Sequence, residues 1–166
     1  MPPPPVDPAR DHVRGDGTRT ILLYGDYEDQ HSRNAYRTIQ SLEANRTPFV
    51  FVFRHLPLTD LHPHALQAAV AAEAAHDQDR FWDMHDILFT GQEQLGRENL
   101  RQYARALGLD IDRFNREFAS DEQLAKITAD VRGALEAGVK GTPALFADGE
   151  RLASYDVETL MAAVTG

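Results

Sequence analysis

The sequence predicts a single α/β domain, and three observations predict it. Two short apolar runs, at residues 20–24 and 49–55, bracket one segment of helical period. From about residue 62 to 138 apolar residues recur at three- and four-residue spacing, and beyond that the strand pattern returns around Asp148-Gly149. The resulting order is β-α-β, a helical lobe, then β-β-α, which packs helices around a small mixed sheet.

Each element has its own warrant. Residues 1–18 are rich in Pro, Asp, Arg and Gly, and prolines 2–5 favour an extended, solvated chain. They read as a flexible N-terminal arm, leaving 19–166 as the domain. Thr-Ile-Leu-Leu-Tyr at 20–24 is short, apolar and bounded by turn residues, as a buried strand is. Asp26 or Asp29 then caps a helix whose Ala35, Ile39 and Leu42 share one face. After Thr47-Pro48 the Val- and Phe-rich run at 49–55 is the second strand, closing a right-handed βαβ unit.

The helical insertion, at about 62–138, divides into five short helices. One is alanine-rich (64–76). The next carries Phe81, Trp82, Met84, Ile87 and Leu88. Leu100, Tyr103, Ala104 and Leu107 mark a third that stops at Gly108. Ile111, Phe114 and Phe118 mark the fourth, and Leu124, Ile127, Val131 and Leu135 the fifth. A hairpin follows, with strands at 144–147 and 151–155 around the strong turn signal Asp148-Gly149. Asp156 caps the last helix.

Composition narrows the function classes. A net charge of −9 opposes binding to nucleic acid or to anionic membrane surfaces. There is no cysteine, so disulfides, thiolate metal sites and a cysteine nucleophile are all excluded. No apolar run approaches the ~18 residues of a membrane helix, so no membrane insertion is expected. The first residues lack the basic end and apolar stretch of a signal peptide. A cytoplasmic location is therefore expected, and a periplasmic one only if a leader has been removed.

Several segments carry a family resemblance together. They are Asp11-His12-Val13-Arg14-Gly15, Tyr24-Gly25-Asp26-Tyr27, Phe53-Arg54-His55-Leu56-Pro57-Leu58 and His62-Pro63-His64-Ala65. Phe81-Trp82-Asp83-Met84-His85-Asp86 and Gly138-Val139-Lys140-Gly141-Thr142-Pro143 complete the set. With this order of elements the chain resembles the DsbA-like branch of the thioredoxin superfamily. It is also similar to the thioredoxin-like domain appended to some bacterial sodium/proton antiporters. The resemblance implies a thioredoxin-like fold, disulfide oxidoreductase relatives and a cis-proline at Pro143. It also implies a groove beside Trp82 that receives extended chains.

At the reactive centre the chain departs from the family. Where the family has Cys-x-x-Cys, this sequence has Asp29-Gln30-His31-Ser32. Thiol–disulfide exchange needs a thiolate, so that activity is excluded for this chain and no catalytic residue is assigned. Asp29 is a good helix N-cap in the field of the helix dipole, and the sequence leaves open whether it also does chemistry.

Asp26, Glu28, Asp29 and His31 offer metal-competent groups but point different ways around a turn, so no metal is expected. Asp29, His31 and Ser32 are the residue types of a hydrolytic triad. However, neighbours on a helix project about 100° apart, which would leave His55, His62 or His85 as a more distant base. His62 and His64 read as capping and hydrogen-bonding residues.

The function expected is cofactor-free binding of extended polypeptide or of a protein partner. Gln30, His31, Thr142 and Pro143 are its candidate binding residues, and Asp29 and Ser32 hold the positions of the lost cysteines. The alternative is a non-thiol enzyme such as a glutathione-dependent transferase or isomerase. The kappa-type members place their serine at the position of Asp29, where a carboxylate would repel the glutathione thiolate. The oligomeric state stays open.

Overall fold

The computed structural model describes residues 1–166. Its elements, in chain order, are β1 (His12–Arg14), β2 (Thr20–Gly25), α1 (Gln30–Ala44), β3 (Val50–His55) and α2 (Ala65–His76). They continue with α3 (Phe81–Thr90), α4 (Arg97–Ala106), α5 (Ile111–Phe118), α6 (Asp121–Glu136), β4 (Ala144–Ala147), β5 (Glu150–Arg151) and α7 (Val157–Thr165). The sheet runs β1-β3-β2-β4-β5, with β2 and β3 parallel and the other pairs antiparallel. No helix is long and apolar enough to cross a membrane.

The two-residue period of the strands divides the core. Ile21, Leu23, Phe51, Phe53 and Leu145 face one side, where they pack with α1, α7 and the helical lobe. Leu22, Tyr24, Val52 and Phe146 face the other, against Ala134 and Ala137 at the end of α6. Helix α2 has no polar face because residues 68–75 are all buried.

Two departures from the sequence reading concern the edges of the sheet. Residues 1–18 read as an arm, yet His12–Arg14 form β1, with Val13 opposite Val52. Three residues are too few to show an alternation, and their pairing partner lies some forty positions away.

The prolines, too, are held. Buried Arg54 donates to the Pro4 carbonyl at 2.9 Å and the Pro5 carbonyl at 3.1 Å. It reaches Tyr24 Oη at 3.1 Å and both carboxylate oxygens of Asp11 at 2.8 Å. All five guanidinium donors are thereby used. At the other edge, strand was expected over 151–155 but ends at Arg151. The chain turns away because Asp156 caps α7, accepting from Thr159 N at 2.7 Å. The hairpin turn itself has positive φ at both Asp148 (47°) and Gly149 (88°), the backbone that an Asp-Gly pair adopts readily.

Candidate functional site

The site grows from the turn between β2 and α1. Asp29 is the N-cap of α1: its Oδ1 accepts from His31 N at 3.2 Å and its Oδ2 from Ser32 N at 3.0 Å. Oδ2 also accepts from Ser32 Oγ at 2.9 Å and, across the site, from Thr142 Oγ1 at 3.0 Å. One carboxylate thus joins the start of α1 to the loop before β4, where the Thr142–Pro143 bond is cis. Ser32 is fully buried; its hydroxyl donates to Asp29 and accepts from Asp26 N at 3.1 Å. Gln92 braces the turn from α3's end, its Nε2 donating to the carbonyls of Tyr27 at 2.8 Å and Asp29 at 2.7 Å.

A second carboxylate fixes the loop after β3. Buried Asp26 accepts from Glu28 N at 2.8 Å, Leu58 N at 2.9 Å and His62 Nδ1 at 2.8 Å. Burial opposes charge on His62, but the bond to Asp26, with Asp29 and Glu28 nearby, raises its imidazole above the usual histidine value. Glu28 in turn accepts from His64 N at 2.7 Å and lies 3.0 Å from His64 Nδ1.

The structure therefore brings Asp29, Ser32 and Thr142 into direct contact and leaves Gln30 and His31 exposed at the mouth of α1. His31 Nδ1 pairs with Tyr155 Oη at 3.1 Å, away from Ser32. The histidines weighed as distant bases are engaged elsewhere: His55 with Glu73, His62 with Asp26, and His85 with Tyr27. Burial holds His85 well below the usual histidine value, and so neutral. Sequence reasoning missed Gln92 and Tyr155, which sit in loops without a motif. It named Asp26 as a cap and a metal-competent group, but not as the buried anchor of the loop after β3.

The thioredoxin family model matches residues 18–165. The chain belongs to the thioredoxin family. Among solved structures it is similar to a thioredoxin-like oxidoreductase from Silicibacter pomeroyi, 26% identical with a TM-score of 0.82, covering 95% of this chain and 91% of that one. The thiol-disulfide exchange protein alpha-DsbA2 from Wolbachia pipientis shares the fold, with a TM-score of 0.80 at 23% identity over 92% and 84% of the two chains.

Curated relatives include the Na(+)/H(+) antiporter NhaA 1 of Salinispora arenicola, 46% identical over 164 residues and 97% of this chain. The NhaA of Herminiimonas arsenicoxydans is 40% identical over 163 residues, 96% of the chain. The chain spans about a quarter of the length of these antiporters. Within a family whose solved neighbours include thiol-disulfide exchange proteins, this cysteine-free member has no thiolate with which to perform that exchange.

Proposed function

We propose that this thioredoxin-family chain binds an extended segment of a protein partner at the Thr142–Pro143 edge, without thiol chemistry. The observation that carries the reading is the backbone of Thr142. Neither its N–H nor its C=O is used within the chain, while its side chain is pinned to Asp29. A fixed, unpaired backbone edge accepts a strand by main-chain hydrogen bonds. Exposed Gln30 and His31 on one side, and Tyr155 beside His31, supply side-chain contacts. Leu61, in the loop that Asp26 anchors, is 71% exposed and offers further apolar surface.

The similarity to one quarter of several antiporters supports a transporter segment as the first partner to try. The glutathione reading has less support, because Ser32 is buried and both roles of its hydroxyl are taken.

The test is an amide-resolved NMR titration with a permanently unfolded, thiol-blocked polypeptide. Shifts at residues 29–32 and 141–144 are expected, with weaker binding by Pro143→Ala. Unmoved resonances there at high ligand excess, or unchanged affinity in the variant, would remove the proposal.

A further inference from the structure

Away from that groove, three chemically competent side chains meet at one face of the sheet. His12 on β1 lies opposite Phe53 of β3, and His55 follows two residues later. The strand period puts both imidazoles on the same face. Helix α2 crosses it and delivers Glu73, the one charged residue in its buried run at 68–75. His12 Nε2 lies 2.5 Å and His55 Nε2 2.9 Å from the same oxygen, Glu73 Oε2. The ligand atoms of the three residues all fall within 4.8 Å of one another. All three are buried, at 5%, 1% and 3% exposure respectively.

A carboxylate buried among alanines costs several kcal/mol unless strong partners compensate. Burial alone would push Glu73 toward its neutral form, but the hydrogen bonds from His12 and His55 outweigh it and keep the carboxyl ionised. The set presents two imidazole Nε2 atoms and one carboxylate converging on a point. That is the donor set of three-ligand zinc sites and of two-histidine, one-carboxylate iron sites.

A tetrahedral ion with bonds of about 2.0–2.2 Å holds its ligand atoms about 3.3–3.6 Å apart. Reaching that spacing needs the two hydrogen-bonded pairs to widen by roughly 1 Å and the remaining pair to close from within 4.8 Å, both within reach of small side-chain rotations. The three ligands ride on two strands and a helix, elements rigid enough to hold a defined geometry. His12 and Glu73 also line a polar cleft of about 610 Å³, together with His76, Asp77 and Lys126. An ion here would keep one coordination position facing that cleft.

We propose that His12, His55 and Glu73 form a binding site for a first-row divalent transition metal of the zinc class, with an open position toward the cleft between α2, α6 and the N-terminal arm. The site is separate from the Thr142 edge, and its test is independent of polypeptide binding.

The experiment titrates the chelator-stripped full chain with cobalt(II), followed by displacement with zinc. One equivalent of cobalt with the intense visible bands of four-coordinate geometry is expected, and zinc should bleach them and raise the thermal midpoint. Glu73→Gln and His12→Gln should weaken binding by more than the roughly 10–100-fold cost of losing an outer-shell partner.

His62→Ala/His64→Ala removes two imidazoles of the loop after β3 and should leave binding intact. Failure of the wild-type chain to take up one equivalent of either ion would overturn the proposal. So would binding that survives Glu73→Gln but is lost in the His62/His64 variant. Should the buried-site variants not fold, the wild-type histidine NMR signals decide. Paramagnetic broadening centred on His12 and His55 and reaching the neighbouring His76 supports the site, and broadening confined to His31, His62 and His64 removes it.

Discussion

Asp29 shows how one buried carboxylate can cap a helix and tie a distant loop to it. Its carboxylate answers four donors, two from the backbone of α1 and one each from Ser32 and Thr142. Asp29→Ala should therefore cost about 1–2 kcal/mol in urea unfolding, at the upper end for a lost N-cap. Asp29→Asn, which keeps an acceptor, should cost less. Asp29→Cys with Ser32→Cys should form an intramolecular disulfide under mild oxidation. Free thiols by mass spectrometry would show that the two positions lack the family's geometry.

His62 gives a pH signature. With its folded value raised, the charged imidazole's contribution to stability is fully present below the ordinary histidine value near 6.5. It is lost as pH rises through the higher folded value. An NMR titration should place the His62 midpoint above the ordinary histidine value, and Asp26→Asn should bring it down.

Among elements, Arg54 of β3 ties the N-terminal segment to the sheet. Arg54 binds Asp11, Tyr24 and the carbonyls of Pro4 and Pro5, and both members of its ion pair are only 6% exposed at the side chain. Removing one partner strands the other as a buried charge, so Arg54→Ala should lower stability by about 3–5 kcal/mol. Arg54→Lys should recover little, since a lysine cannot supply the planar fork. Limited proteolysis should then cut the chain around Arg10 faster than in the wild type. Unchanged protection would mean that the arm is held by other contacts, such as the approach of Pro4 to Gly133, where an added Cβ would sit 3.0 Å from Pro4 Cγ.

The molecule as a whole shares one sheet between two apolar cores. Alternate residues of β2 serve opposite faces: Ile21 and Leu23 one core, Leu22 and Tyr24 the other. Neither core survives loss of that strand, so unfolding should be a single cooperative transition. Fluorescence of Trp82, packed on the first core, should coincide with far-ultraviolet circular dichroism. Separate midpoints would show that the helical lobe melts independently of the sheet.

What could be read without coordinates was whatever depends on near neighbours. The apolar runs of β2 and β3, the helical spacing of the lobe, the Asp-Gly turn and the cap at Asp156 are local patterns, and each lies where the sequence put it. Of the two candidate caps for α1 the structure uses Asp29. The loss of thiol chemistry was legible from residue identity alone. Only tertiary structure could assign β1, because three residues carry no period and their partner is distant. It alone could join Asp29 to Thr142, 113 positions apart, and gather His12, His55 and Glu73 at one point. Such contacts are set by strand register and helix crossing, which no local spacing encodes.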